Sequence, residues 1–131
     1  MDYITIKSNN REELIDITNN IVEYVEKKKY NNGILYLFVP HTTAAITINE
    51  NADPSVQKDI NNALIKLIPH NDSYTHLEGN SDAHIKATLV GASNFVFIER
   101  GEIVLGTWQG IYFCEFDGPR NRKIYIKFLN C

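Results

Sequence analysis

The chain has 131 residues, 44% of them hydrophobic, and a formal charge of −3. That length fits one domain over residues 1–131 with ample material for a core, and the acidic balance argues against a nucleic-acid partner. No apolar run approaches the roughly 20 residues needed to span a bilayer, and MDYITIKSNN lacks the basic and apolar parts of a signal peptide, so a cytoplasmic protein without a membrane partner is expected.

DYITIKS alternates apolar and polar residues and is predicted as a first strand. Asn10 with Glu13 forms a capping-box pattern, and Leu14, Ile17, Ile21 and Val25 recur at helical spacing, which predicts a helix over residues 11–29. Lys27, Lys28 and Lys29 suit the negative end of its dipole, and Asn32-Gly33 turns the chain. GILYLFVP is apolar enough to predict a strand covered on both faces. After Pro40-His41-Thr42-Thr43, AAITINE resumes as another strand. Asp53 as N-cap and Pro54 at the first position open a helix through Val56, Ile60, Leu64 and Leu67, which Pro69 ends. A polar loop follows over residues 70–81, then a short helix, SDAHIKATLV, capped by Ser81 or Asp82 and stopped by Gly91. NFVFIER, GEIVLGTWQG, IYFCEFDG and RKIYIKFL complete an antiparallel meander. The expected class is α+β, an antiparallel or mixed sheet with helices packed on one side, in the order β-α-β-β-α-α-β-β-β-β.

Three features interrupt this regular patterning. His41, Thr42 and Thr43 end an apolar strand, where a rigid scaffold meets open solvent; His41 is either an exposed turn residue or a functional group at that tip. THLEGNSDAHIKA places His76 in a loop and His84 in the first turn of a helix. The positive end of the helix dipole favours a neutral ring at His84, the form that binds metal or accepts a proton, and the helix N–H groups suit an anion. His70, at the exposed end of a helix, is read as a surface residue. Trp108 and Gln109, between two glycines in GTWQG, are either a bulged strand with a core tryptophan or an aromatic wall beside a carboxamide. Glu50 closes the strand that His41 precedes and has no local structural excuse, whereas Asp53 has its cap and Asp117 its turn. Arg120 and Arg122 follow the turn DGPR and are either solvated or an anion clamp. Cys114, in an alternating apolar run, reads as a buried small hydrophobe. GxGxxG, P-loop, GxSxG and HExxH patterns are absent.

Taken together, PHTTAAITINENADPSVQKD, YTHLEGNSDAHIKATLVGAS and GEIVLGTWQGIYFCEFDGPRNRK resemble, in this order, the blocks of the YjbQ-like family, also called the secondary thiamine-phosphate synthase family. The resemblance covers nearly the whole chain. It implies a small α+β protein that assembles as a homotrimer, with a pocket near the subunit interface. Carried over by position, the pocket residues are His41, Thr42, Glu50, His76, Asn80, His84, Trp108, Gln109, Asp117 and Arg120. It also implies a transferase that condenses hydroxymethylpyrimidine diphosphate with thiazole phosphate, as a secondary activity.

Chemistry suited to these residues assembles His41, His76 and His84 around one metal or one anion. Three neutral imidazoles with an open fourth position suit zinc or a related divalent ion, and Glu50 is the expected carboxylate behind them. Glu50, His84 and Asp117 are the candidate catalytic groups. Thr42, Asn80, Trp108, Gln109 and Arg120 are the candidate substrate ligands, with Trp108 stacking on a pyrimidine. A diphosphate substrate instead favours magnesium and oxygen ligands. Three classes stay open: the transferase, a metal-dependent hydrolase or lyase acting on a small phosphorylated compound, and a non-catalytic oligomer that binds a small molecule or metal.

Overall fold

The computed structural model describes all of residues 1–131. Eleven elements follow in chain order: β1 (Asp2–Lys7), β2 (Glu13–Asp16), α1 (Thr18–Lys28), β3 (Gly33–Phe38), β4 (Ala44–Glu50), α2 (Pro54–Leu67), α3 (Ser81–Val90), β5 (Ser93–Glu99), β6 (Glu102–Val104), β7 (Gln109–Glu115) and β8 (Asn121–Asn130). The α+β class, the three helices and the antiparallel pairing agree with expectation. The strands divide into two sheets, one of five in the order β1-β8-β3-β5-β6 and one of three in the order β2-β7-β4. The expected meander of the last four strands is therefore corrected: only β5 and β6 pair with each other, while β7 joins the small sheet and β8 lies between β1 and β3.

The expected helix over residues 11–29 is corrected by this structure. Residues 13–16 are β2, paired with β7 from Glu13 opposite Glu115 to Asp16 opposite Tyr112, and only Thr18–Lys28 is helical. Glu13 does reach back, accepting the Asn9 and Asn10 amides at 2.7 and 2.6 Å, but it closes a loop rather than a helix. The helix start lies further on, where Asp16 Oδ1 accepts both the amide and the hydroxyl of Thr18. Sheet pairing supplies the ELID backbone with long-range partners that local helical spacing does not reveal. At the other end Lys27 and Lys28 fill the last turn, and Lys29 turns left-handed at φ 57°.

The main core lies between the inward faces of the two sheets. Leu35, Leu37, Val96, Ile98, Ile124 and Ile126 of the larger sheet meet Ile46, Ile111 and Phe113 of the smaller, with Ile17, Ile21 and Val25 inserted from the α1 segment. A second cluster packs Ala83 and Ala87 of α3 against Ala45, Cys114 and Phe116, so α3 covers the opposite face of the small sheet. Burial pushes the Cys114 thiol up to about 12, in keeping with a small hydrophobe. GILYLFVP is not covered on both faces as expected: Leu35 and Leu37 are buried while Tyr36 and Phe38 are exposed. The outer face of the larger sheet therefore carries Tyr3, Tyr36, Phe38, Phe95 and Phe97 in contact with solvent. Asp53 caps α2 through the Ser55 amide, and no helix is long and apolar enough to cross a membrane.

Candidate functional site

Antiparallel order places three connections at one end of the small sheet. β4 begins where β7 ends, Ala44 lying opposite Glu115, so the β3–β4 connection and the β7–β8 turn are neighbours. The Phe116 amide donates to the Thr43 carbonyl at 3.2 Å and ties the two together. The α2–α3 loop arrives at the same place because α3 packs on β4 and starts at Ser81. His70 staples that loop, its Nε2 lying 2.8 Å from the Gly79 carbonyl, a structural part for the histidine read as a surface residue.

These connections enclose an open cavity of about 430 Å³, bordered by His41, Thr42, His76, His84, Arg120 and Arg122, with Glu78 at its rim. Seven of the residues singled out in the sequence thus meet, five of them candidate site residues and the other two Thr43 and Arg122. His76 and His84 face each other edge-on with ring centroids 5.5 Å apart, and His76 Nε2 lies 3.6 Å from a Glu78 oxygen. His41 Nε2 accepts the Lys123 backbone amide at 2.9 Å, which leaves the proton on Nδ1. Burial and the nearby Arg122 guanidinium hold its pKa below the usual histidine range. The amide of Lys123, not Glu50, is what sets the His41 tautomer.

The expected three-histidine metal centre is not assembled in this arrangement. No group of three His, Cys, Asp or Glu side chains is placed to share one ion. His41 has its Nε2 lone pair engaged by an amide, so it presents a donor rather than a ligand. The donors of the cavity are better matched to an oxyanion: the Nδ1–H of His41 and the half-exposed Arg120 guanidinium belong to its lining, whereas Arg122 is already paired with Glu115.

Behind the cavity lies a polar wall of which the sequence revealed only parts. Arg122 is buried and grips the buried Glu115 through Nε and Nη2, while Nη2 also donates to Thr43 Oγ1 at 2.8 Å. Burial works against the ionised Glu115, but Arg122 and the Ser8 hydroxyl at 2.6 Å hold its carboxyl below the usual range. Arg120 is half-exposed and is aligned by Asp117, through Nε to the carbonyl at 2.9 Å and Nη2 to the carboxylate at 3.0 Å. Asn80 donates to the same Asp117 carboxylate at 2.9 Å, while its buried Oδ1 has no hydrogen-bond partner. Asn80 and Asp117 thus support the cavity from behind.

A second buried set fixes α3. Lys86, only 1% exposed, bonds Glu12 and Asp82, and Asp82 also takes a two-pronged contact from Arg11, both bonds at 3.1 Å. Burial opposes the Asp82 charge, but Arg11 and Lys86 keep its pKa below the usual carboxylate range. Spacing alone puts Asp82 and Lys86 on a helix face with Ala83 and Ala87, small residues that mark the side against the sheet, but it does not show that Lys86 is buried.

Glu50, Trp108 and Gln109 do not join the histidines within one chain. Glu50 pairs with Gln109 at the far end of β4, six residues from Ala44, about 20 Å at the strand rise. Trp108 is 62% exposed, neither a core residue nor a wall of the cavity. Gln109 Oε1 accepts the Gly106 amide at 2.8 Å and closes its own loop.

The sequence profile of the UPF0047 protein YjbQ-like family matches residues 2–131. The chain is 60% identical to UPF0047 protein MJ1081 of Methanocaldococcus jannaschii, over 95% of this chain and 90% of that protein. It is 48% identical to UPF0047 protein YugU of Bacillus subtilis, over 96% of each. The crystal structure of an uncharacterized conserved protein of the yjbq/upf0047 family from Clostridium acetobutylicum superposes with a TM-score of 0.94 at 50% identity, covering 98% of this chain and 100% of that one. Profile, sequence relatives and fold agree, and the chain belongs to the YjbQ-like UPF0047 family.

Proposed function

We propose that this protein is a small-molecule transferase of the thiamine-phosphate synthase type, working on a phosphorylated substrate in the histidine–arginine cavity. The observation that carries this reading is the convergence of His41, Thr42, His76, His84, Arg120 and Arg122 on one cavity of about 430 Å³. In the condensation, a ring nitrogen of the thiazole attacks the pyrimidine methylene. The carbon–oxygen bond to diphosphate breaks, and the departing oxygen takes the electron pair. Arg120, held in direction by Asp117, and the Nδ1–H of His41 supply donors where that charge develops. His84, at the start of α3, lines the same cavity. Glu50, Trp108 and Gln109 can act there only from a neighbouring copy, which fits a homotrimer with a shared pocket.

Incubating the purified chain with both precursors is expected to yield thiamine phosphate and pyrophosphate in equal amounts. Arg120→Gln is expected to lower the rate about a hundredfold, the usual loss of one charge-stabilising donor. Product formation no greater than in His84→Ala overturns the reading. Glu50→Ala separates two arrangements: an undiminished rate confines the chemistry to one chain, and a loss brings in the neighbour's strand end.

A metal-dependent hydrolase or lyase is the second reading, favoured by the facing His76 and His84 rings with Glu78 beside them. To hold zinc or a related divalent ion, His76, His84 and Glu78 would have to shift from positions in which no three such groups share one ion, and His41 would join only by leaving its amide; magnesium would come with a diphosphate substrate. Such an ion would polarise a phosphoryl or carbonyl oxygen. One zinc per chain, lost in His84→Ala, is the result this second reading requires.

A further inference from the structure

His84 borders two concavities of opposite character. One is the polar cavity. The other is a groove of about 490 Å³ between the end of α2 and the outer face of α3, bordered by Leu67, Ile68, His84, Ile85 and Leu89. Ile85 and Leu89 are four residues apart and stand on the outer side of a helix whose inner side, Ala83 and Ala87, is already packed. An outer helix face ordinarily carries polar side chains. Here Leu67, Ile85 and Leu89 remain 71%, 42% and 61% exposed, and they meet around one groove instead of being scattered. A third recess, bordered by Tyr74, His76, His84 and Ile85, lies between the other two and shares His84 with both.

We propose that the groove receives the apolar body of the same small molecule whose anionic group sits in the histidine–arginine cavity. The substrate is then an amphipathic organic phosphate, with its ester region beside His84 and a hydrocarbon or aromatic portion along Ile85 and Leu89. Continuity argues for this occupant: the intermediate recess shares His76 and His84 with the cavity and His84 and Ile85 with the groove, so the three form one chain of concavities along His84. The groove lacks charged residues at its lining, which suits an uncharged body, while the guanidiniums lie on the far side of His84. The inference rests on the phosphate-binding reading of the cavity and adds the chemistry of the rest of the ligand.

Titration calorimetry on the full chain with inorganic, methyl, butyl, hexyl and phenyl phosphate tests both parts separately. Affinity is expected to rise along the alkyl series by up to about fourfold per methylene, with phenyl phosphate also tighter than methyl. Leu89→Asp, at an exposed position, is expected to abolish that rise while leaving inorganic phosphate affinity within twofold. Arg120→Gln is expected to weaken every member by a similar factor. Phosphate binding with a flat series overturns the groove and leaves the cavity standing, as does a rise that survives Leu89→Asp and Ile85→Asn. Absence of binding by every phosphate overturns the cavity reading itself. A fall in sedimentation mass on Leu89→Asp makes the groove a contact between copies and also overturns the inference.

Discussion

Arg120 and Arg122 differ by two positions in sequence and sharply in what their charges do. Arg120 is half-exposed and held by one carboxylate, whereas Arg122 is buried and is the counter-charge of a buried Glu115. Arg122→Ala leaves Glu115 uncompensated, and its expected effect is a loss of about 3–5 kcal/mol in urea unfolding. Unfolding equilibrium no different from the parent would show that Glu115 is neutral in the folded state. Glu115 and Asp82 both have folded pKa values below their ordinary 4.5 and 3.8. Their contribution to stability is therefore full above those ordinary values and disappears as pH falls through the lowered ones. The melting temperature is expected to hold down to about pH 5 and to drop below about pH 4, and a melt that instead sags between pH 7 and 5 would contradict this assignment. At this scale His41 stood out in the sequence because it follows the end of an apolar run and His84 because it falls in the first turn of a helix, whereas Thr42, His76 and Arg120 were carried into the pocket by the family resemblance. Lys86 was not legible, because its burial depends on Asp82 above it and Glu12 from a distant loop.

Residues 11–17 show how an element is decided by its partner. Leu14, Ile17, Ile21 and Val25 satisfy helical periodicity, yet Leu14 pairs opposite Cys114 in the sheet and only Ile21 and Val25 are buried within α1 itself. The boundary is drawn by Asp16, whose carboxylate accepts the Thr18 amide at 2.9 Å and its hydroxyl at 2.6 Å. Asp16→Ala is expected to destabilise the fold by about 1 kcal/mol, as loss of a helix-start acceptor does; denaturant midpoints unchanged within error would show that β2 pairing alone starts the helix. α3 shows the reverse case. Its overall hydrophobicity hardly alternates, because acidic and basic residues lie on the inner face and Ile85 and Leu89 on the outer. Its end was nonetheless readable, since Gly91 at φ 106° adopts a conformation that other residues resist.

For the whole molecule, the outer face of the five-stranded sheet matters most. Tyr36 and Phe95 pair across strands with ring centroids 6.2 Å apart, Phe95 and Phe97 meet at 5.4 Å, and Phe38 and Tyr125 at 6.4 Å. An exposed aromatic sheet face of this kind marks an interaction surface, and the trimer proposed above would be expected to use it. Sedimentation equilibrium is expected to give three times the 15.0 kDa chain mass. Phe95→Glu is expected to reduce it to one chain with unchanged far-ultraviolet circular dichroism, because Phe95 contributes nothing to the buried core. A parent protein that sediments at the mass of one chain would remove both the trimer and any part for a neighbour's Glu50.

By itself the sequence determined the α+β class, the two helices that follow β4, the extended runs of the last third though not their pairing, and most residues of the polar cavity. These rest on information carried within a few residues: a cap, a proline, an alternation, a histidine where an apolar run stops. Only the tertiary structure decided that residues 13–16 pair as a strand and that Trp108 and Gln109 lie at the Glu50 end of β4. It also decided that the Lys123 amide occupies His41 Nε2. The physical reason is common to all three. Strand pairing and the donor–acceptor state of an imidazole are settled by groups dozens of positions away, and chain spacing carries no record of which groups those are.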